Sequence, residues 1–210
     1  MQTTDIPAAV APTGLRQRKR ARTRETLIAA GMRLFVEHGF DTVTVDQIAA
    51  AAEVSRRSFF RYFETKGDLV LGWTRELQEV LVAALQARPP NEAPLQSVQA
   101  AFLVMVGRVD PRHDPTYGFA RLIHRTPSLR GHSLQKHAEW EDALDLALAT
   151  RLPGTAGARL QARLTARVGV AAFRTAMDVW LESHGRTSLA TLLDRSFAGL
   201  PVVAEPVPAR

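Results

Sequence analysis

The hydrophobic residues of this chain recur mostly every three to four positions, which is the spacing of one face of an α-helix. No stretch shows the alternation of apolar and polar residues, bounded by turn residues, that predicts a β-strand. We therefore predict an all-α protein. Both ends lack the helical period and contain several prolines, so we expect residues 1–17 to form a disordered arm and residues 201–210 a disordered tail.

Residues that favour helix ends divide the rest of the chain into nine predicted helices. Thr44 with Gln47 is typical of a capping box, Ser55 is a good N-cap, and Thr65 with Asp68 makes another cap pattern. Prolines and glycines separate the later helices. The predicted helices span residues 22–38, about two turns after Thr44, and residues 56–62, 66–87, 93–109, 116–125, 128–152, 155–184 and 188–200.

Two of these helices form a candidate DNA-binding unit. They are short and are joined by about three residues, which is the helix-turn-helix spacing that places the second helix in the major groove of DNA. Phe59 and Phe63, four residues apart, can face the protein interior, which leaves other side chains pointing outward: Arg56, Arg57, Phe60 and Arg61. Arginine can bind guanine edges and an aromatic ring can touch a thymine methyl, so this face suits a DNA groove. For an isolated arginine-rich helix, a merely solvated face would be the alternative.

Charge and composition narrow the possible partners and compartment. The net charge is +6, and six Lys and Arg residues with no acidic residue lie between Arg16 and Arg24. This basic stretch either lies along DNA or is a solubilising segment, and the sequence leaves both open. The absence of cysteine excludes thiolate catalysis, disulfides and cysteine-bound zinc. No apolar run reaches a membrane span or forms a secretory leader, so we expect a cytoplasmic protein without a membrane partner.

An enzyme is the remote alternative. The sequence contains no zinc motif, glycine-rich phosphate loop or nucleophile elbow. His137 and Glu141 lie one helical turn apart, but no third ligand accompanies them. We therefore expect no catalytic residue, no metal and no cofactor.

The run from Thr44 to Leu69 resembles the DNA-binding signature of the TetR family of bacterial regulators. The resemblance covers residues 18–70 in detail and implies a helix-turn-helix domain at 18–66, followed by a helical ligand-binding and dimerisation domain at 67–200. It also implies a ligand-responsive regulator, most simply a repressor, which binds a palindromic double-stranded DNA operator as a homodimer. Carried over by position, the predicted DNA-binding residues are Thr44, Ser55, Arg56, Arg57, Ser58, Phe60, Arg61, Tyr62 and Lys66.

Some of these positions have specific roles by resemblance. Thr44 and Lys66 match phosphate contacts, and Phe60 and Tyr62 match positions that touch the DNA backbone or a thymine methyl. Arg56, Arg57 and Ser58 match positions at the groove. Ser58 departs mildly from the family pattern, in which threonine is more common.

The C-terminal segment from about Arg121 resembles, less specifically, an actinobacterial TetR subgroup described as binding acyl-CoA-like ligands. The implied effector is a small, largely apolar molecule, and the candidate pocket residues are Phe102, Met105, Phe119, Leu122, Ile123, Trp140, Phe173 and Met177. Taken singly, each of these residues is more typical of a core position than of a ligand contact. Arg121 and Arg125 could bind an anionic head group, or could be solvated or paired with acidic residues.

A stripe of small and branched residues on the helix over 155–184 suits close approach of a second copy. Its members are Leu164, Val168, Ala171, Ala172, Thr175 and Val179. Packing within one chain is the competing interpretation. A second alternative is a constitutive or architectural DNA-binding protein without a ligand, whose C-terminal part only dimerises. The bulky aromatic residues on several C-terminal helices favour a ligand-binding domain.

Overall fold

The computed structural model describes residues 14–107 and 115–200, and within these two stretches every regular element is a helix. The predictions for residues 1–13 and 201–210 lie outside the described residues. The elements are α1 (Leu15–His38), α2 (Val45–Ala51), α3 (Arg56–Phe60), α4 (Gly67–Gln86), α5 (Pro94–Val106), α6 (Pro115–Arg125), a 3-10 turn (Pro127–Leu129), α7 (Arg130–Ala149), α8 (Ala156–Glu182) and α9 (Leu189–Ala198).

The largest difference from the predicted helices is the start of α1, which begins at Leu15 and not at Arg22. Residues 15–17, assigned above to a disordered arm, are therefore helical. The stretch after Gly14 has no proline or glycine and consists mainly of Leu, Arg, Gln, Lys and Ala, which are good helix formers. Residues 18–22 are exposed, so this turn packs against little, and the apolar spacing that guided the prediction is missing there.

The local signals at α2 and α3 predicted their caps correctly. The Thr44 hydroxyl accepts a hydrogen bond from the Gln47 amide at 3.2 Å, and Gln47 Oε1 accepts one from the Thr44 amide at 2.8 Å, which completes the capping box. The Ser55 hydroxyl accepts from the Ser58 amide at 3.1 Å. The pattern before α4 is only half made, because Asp68 accepts from the Thr65 amide at 2.8 Å while no side chain caps the helix start.

The turn between α2 and α3 contains Glu53 in the left-handed backbone region, at φ 54°. A residue with a β-carbon pays about 1–2 kcal/mol in this region, which glycine avoids. We expect Glu53→Gly to raise the free energy of unfolding by about 0.5–1 kcal/mol after the added flexibility of the unfolded chain is subtracted. Chemical denaturation measures this.

The matched control is Glu25→Gly, at an exposed position inside α1. There glycine is expected to lower the free energy of unfolding by about 1 kcal/mol. Equal losses in the two variants would contradict the backbone argument.

Two clusters of buried side chains form the interior of the described residues. The first lies between α1 and the start of α4, and its most deeply buried members include Leu27, Phe35, Ile48, Phe59 and Leu69. The second lies among α4, α5, α7, α8 and α9, and it includes Leu81, Phe102, Trp140, Phe173 and Trp180. Helix α4 contributes to both clusters, so it ties the two parts of the chain together.

A second connection between the two parts runs through the 3-10 turn before α7. Leu129 is fully buried in the first cluster. The Ser128 hydroxyl donates to the Asp41 carboxylate at 2.9 Å, in the connection between α1 and α2. At the start of α4, a β-carbon on Gly67 would collide with the ring of His132, so α7 and α4 approach closely here. No helix in the described stretches is long and apolar enough to cross a membrane.

Candidate nucleic-acid interface and cavity

Helix α3 is held in place by aromatic residues on its inner side. Phe59 is fully buried and Phe63 nearly so, with ring centroids 5.7 Å apart. Phe60 lies on the opposite side and is 46% exposed, although its ring still meets that of Phe59 edge-on at 5.4 Å. Arg56, Arg57 and Arg61 are exposed, as the i and i+4 spacing of Phe59 and Phe63 predicted. The outward face of α3 is therefore basic and aromatic, and the inner side of the helix packs through buried Phe59.

The arginines of this face differ in how they are held. Arg56 forms an ion pair with Asp46 of α2 at 2.7 Å, and its guanidinium lies 5.6 Å from the centre of the Phe60 ring. Arg57 has no ion-pair partner among residues 14–107 and 115–200. Arg57 is thus the more available of the two for an external ligand, while Arg56 orients the Phe60 ring.

Hydroxyl groups flank the same face. Thr44 and Ser55 are the N-caps of α2 and α3, and Ser55 also donates to the Ser58 hydroxyl at 3.1 Å. Tyr62 is half-buried beyond the end of α3. The structure thus brings the predicted hydroxyl and arginine positions together around one short helix.

The basic N-terminal half of α1 lies next to this surface. The sequence left open whether this basic stretch lies along DNA or only solubilises the chain. The Arg20 guanidinium lies 6.0 Å from the centre of the Tyr62 ring, and that of Arg61 lies 5.2 Å from it. A groove between α1 and the turn after α2 is lined by Arg18, Lys19 and Arg22, together with Thr23, Thr26, Ala52 and Val54. Because α1 is helical from Leu15, these cations lie beside the helix-turn-helix unit.

Lys66 binds backbone carbonyls in this conformation, whereas the resemblance implied a phosphate contact. Its ammonium donates to the carbonyls of Phe40, Asp41 and Val43 at 2.6, 3.1 and 2.9 Å, and it sits 4.6 Å from the centre of the Phe40 ring. All three ammonium protons are therefore used to fasten the α1–α2 connection to the start of α4. A phosphate contact by Lys66 stays a prediction.

A cavity of about 370 Å³ lies among α4, α5, α6, α7 and α8, with Leu189 at the start of α9 also in its wall. Its walls are largely apolar and include two aromatic side chains, Trp140 and Phe173. The lining residues are Leu77, Met105, Val106, Ala120, Ile123, His124, Arg130, Ser133, Leu134, Lys136, His137, Trp140, Phe173, Arg174, Met177, Asp178, Leu181 and Leu189.

Five of the eight predicted pocket residues line this cavity: Met105, Ile123, Trp140, Phe173 and Met177. Phe102 does not. It is fully buried in the core and stacks on Phe173 at 5.0 Å between ring centroids, one layer behind the cavity wall. Leu122 is also placed elsewhere, because it packs against the first cluster. The side chain of Phe119 lies outside the described residues.

The prediction that Arg121 and Arg125 could bind an anionic head group in the cavity is also wrong. Arg121 and Arg125 are exposed and do not line the cavity, because the inner side of α6 is formed by Ala120, Ile123 and His124. The cavity cations come from other helices, Arg130 and Lys136 from α7 and Arg174 from α8. No signal in the sequence pointed to these three cations, since neither helix carries a basic cluster that indicates a pocket.

Burial and mutual repulsion shift two pKa values at this wall. Burial, with the nearby Arg174 charge, lowers the pKa of Lys136 to about 8. Burial, followed by the charges of Lys136 and Arg174, lowers the pKa of His137 to about 2. His137 is therefore neutral at physiological pH, and its buried Nδ1 has no hydrogen-bond partner among the described residues.

The His137 shift predicts how stability depends on pH. In the unfolded chain a histidine takes up a proton near pH 6.5, whereas folded His137 does so only near pH 2. Below pH 6.5 the unfolded chain therefore gains a proton at this histidine that the folded protein does not. The free energy of unfolding is unaffected by His137 above pH 6.5 and decreases as the pH falls below that value. We expect His137→Gln to reduce the loss of unfolding free energy between pH 6.5 and 4.5 by roughly 0.5–1 kcal/mol per pH unit, less than a full proton's worth because the ring is half-buried.

Urea unfolding at pH 6.5, 5.5 and 4.5 measures this difference. His38→Gln is the control, because the His38 side chain is 60% exposed. Parallel pH profiles for wild type and His137→Gln would show that the buried ring does not resist protonation.

Comparison with family models identifies both parts of the chain. The model of bacterial regulatory proteins of the tetR family matches residues 27–72, and the model of the MftR C-terminal domain matches residues 92–203, which is more than half of the chain. The chain belongs to the TetR family. The first match ends inside α4, close to the last residues that α4 contributes to the first cluster, Leu69 and Val70.

Two curated TetR-family regulators show how far the sequence similarity extends. TcmR of Streptomyces glaucescens, an HTH-type transcriptional regulator, is 40% identical over 144 residues, which cover 66% of this chain and 64% of TcmR. The chain thus spans slightly less than two thirds of the length of TcmR. MftR of Mycobacterium tuberculosis, named for regulation of mycofactocin biosynthesis, is 29% identical over 184 residues, covering 86% of this chain and 90% of MftR.

Solved TetR-family structures share the fold. A TetR-family regulator from Streptomyces coelicolor superposes with a TM-score of 0.61 at 21% identity, covering 90% of this chain and 98% of that one. Thermus thermophilus FadR, a TetR-family repressor solved with lauroyl-CoA, superposes with a TM-score of 0.54 at 22% identity, covering 89% and 98%. The prediction of an all-α chain with a helix-turn-helix domain and a larger helical C-terminal domain is confirmed.

Proposed function

We propose that this TetR-family regulator is a repressor that binds a near-palindromic operator as a homodimer and releases it when a small, largely apolar molecule fills the cavity. The observation that carries the proposal is the exposed face of α3, where Arg57 and Phe60 project from a helix anchored by Phe59. A helix presented this way suits the major groove. The regulator acts in the cytoplasm, where its operator lies.

Within the groove, the proposed roles follow from chemistry. Arg57 reads a base edge in bidentate fashion and Phe60 packs on a thymine methyl. The remaining proposed DNA contacts position the protein on the backbone or at the groove edge. These residues are Thr44, Ser55, Arg56, Ser58, Arg61 and Tyr62.

A stripe along α8 supports the proposed dimer. Leu164, Thr175 and Val179 are exposed, as is Ala171, and Val168 is half-buried, so the stripe has no partner among the described residues. Ala172 is an exception, because it is buried in the second cluster and cannot take part. An exposed apolar stripe of this length on one helix is suited to pairing with the same stripe of a second copy.

The cavity supports the ligand-responsive part of the proposal. Its walls combine apolar and aromatic side chains with a few polar groups, the usual make-up of a small-molecule site. This feature favours a ligand-binding regulator over an architectural protein that only dimerises. A fatty acyl thioester is one candidate effector, and the FadR structure solved with lauroyl-CoA supports it through the shared fold.

Occupation of the cavity must favour a conformation that binds DNA less well. Helix α4 carries Leu77 in the cavity wall and Leu69 in the first cluster, so it is one physical link between the sites. Helix α7 is the second physical link, since it lines the cavity with Arg130. Two residues before Arg130, Ser128 is hydrogen-bonded to Asp41 of the α1–α2 connection.

The test starts with selection of a binding site from random DNA by the full-length protein. The expected result is a near-palindrome with half-site centres about 34 Å or a multiple of it apart. A thermal-shift screen with acyl-CoAs, fatty acids, aromatic compounds and cationic drugs then identifies ligands, and each hit is titrated against the operator complex. A selected site without symmetry would overturn the dimeric arrangement, and a stabilising ligand that leaves operator affinity unchanged would overturn the allosteric release.

A further inference from the structure

The charges around the cavity do not balance. Arg130, Lys136 and Arg174 contribute three cationic side chains to its wall. The carboxylate among its lining residues is that of Asp178, and it lies 3.9 Å from His124 Nδ1. Neither Lys136 nor Arg174 has a carboxylate within 4.0 Å in the part of the chain that the structure describes. The wall formed by α7 and α8 therefore carries an excess of positive charge, with Arg130 and Arg174 exposed and Lys136 partly buried.

This positive charge sits against apolar material. The Lys136 ammonium lies 5.1 Å from the centre of the Trp140 ring. The next residue, His137, holds its own ring edge-on to Trp140 with a centroid distance of 6.1 Å and leaves a buried Nδ1 without a partner. Lys136 and His137 are partly buried, whereas Arg174 is exposed. An unpaired polar group is costly where water is partly excluded, so the buried side of this wall favours a ligand that pairs with Lys136 and His137. The lowered pKa of Lys136 has the same origin, because burial and Arg174 both oppose its charge.

We propose that the effector is an apolar anion whose acidic group binds between Lys136 and Arg174 while its hydrocarbon body lies against Trp140, Phe173 and Met177. The inference rests on the proposed function, since it names the class of molecule that occupies the effector cavity. A carboxylate oxygen accepts charge-assisted hydrogen bonds from both cations. A cationic ligand would add to the repulsion, and a neutral one would leave it in place.

Matched pairs of probes isolate the charge of the ligand. Decanoate is compared with decanamide and 2-naphthoate with 2-naphthamide, so that shape is nearly constant within each pair. Decanoyl-CoA tests whether the phosphates of coenzyme A can supply the anionic group. With full-length protein, calorimetric titration is expected to give at least one anion a dissociation constant about 10- to 100-fold below that of its neutral counterpart. Equal affinities within both pairs, with no binding of decanoyl-CoA, would overturn the proposal, and so would a failure of every anion to bind.

Variants assign the charge to specific residues. Arg174→Gln and Lys136→Met are expected to remove most of the advantage of the anion, with a much smaller change in the affinity of the neutral amide. Arg167→Gln is the matched control, since Arg167 lies two turns before Arg174 on α8 and outside the cavity lining. Equal losses in Arg167→Gln and Arg174→Gln would show that only the overall charge matters.

A measurement without ligand tests the same arrangement. If the cations repel one another in the free protein, Lys136→Met raises the melting temperature by about 2–4 °C, whereas Arg167→Gln does not. A lower melting temperature for Lys136→Met would contradict the unpaired charge.

Failure of this inference is distinguishable from failure of the proposed function. A neutral molecule that binds the cavity and releases the operator would overturn the anion and keep the ligand-responsive repressor. An anion that binds with the expected dependence on Arg174, yet leaves the operator complex intact, would keep the site and overturn the repressor mechanism.

Discussion

Arg57→Ala is expected to weaken binding to the selected operator about 30-fold or more, with the helical content of the protein unchanged. A bidentate arginine contact to guanine contributes about 1–3 kcal/mol, and a symmetric dimer loses it at both half-sites, so the combined loss is about 2–6 kcal/mol. Because Arg57 is exposed and has no ion-pair partner among the described residues, its removal leaves the fold intact. Mobility-shift titration on the operator and on scrambled DNA measures the effect.

The loss should be confined to the operator and should relax the preference at one base position of each half-site. Arg75→Ala provides the control, because Arg75 is exposed on α4. An unchanged operator affinity for Arg57→Ala would contradict the placement of α3 in the major groove. An equal loss on operator and scrambled DNA would assign Arg57 to the phosphate backbone.

Leu164→Glu is expected to convert the dimer into a monomer at micromolar concentration and to abolish operator binding at the concentrations that saturate wild type. The Leu164 side chain is 59% exposed on the α8 stripe, so a glutamate there is tolerated by the monomer but places two like charges in a symmetric interface. Burying an unpaired charge at an interface costs several kcal/mol, which corresponds to a loss of about a thousandfold or more in the association constant. Sedimentation velocity measures the change.

A pair of valines with similar exposure separates the interface from general surface effects. Val179 lies on the stripe and is 40% exposed, whereas Val104 lies on α5 and is 45% exposed. Val179→Glu should weaken dimerisation and Val104→Glu should not. If wild type sediments as a monomer, or if both valine variants dimerise normally, α8 is not the interface.

The local features of this fold were readable from the sequence because short-range interactions decide them. The capping box of Thr44 and Gln47 needs only two side chains three residues apart. Phe59 and Phe63 are both buried, as their four-residue spacing predicted, although α3 ends at Phe60 and Phe63 lies just beyond it. For the same reason Arg56, Arg57 and Phe60 lie on the exposed side of α3, as the spacing predicted.

The cavity was less predictable because its wall depends on how whole helices are rotated in the tertiary structure. On α6 the sequence offered Arg121 and Arg125 as cations, but the inner face carries Ile123 and His124. Aromatic character did not separate core from cavity either, since Phe102 stacks directly behind Phe173. The start of α1 was missed because helix propensity alone, without apolar packing, maintains its first turns.

The position of Leu129 bears on how TetR-family chains can be recombined. The DNA-binding head is contiguous in sequence up to the first turns of α4, yet its hydrophobic interior is completed by a leucine that lies some sixty residues further along the chain. A hybrid regulator joined at the start of α4 would therefore combine the DNA-binding head of one protein with the Leu129 segment of another protein, although that segment completes the hydrophobic interior of the head. Modular exchange of sensing domains in this lineage should succeed when the segment around Leu129 and Ser128 travels with the head, and should otherwise give proteins whose heads are loosely packed.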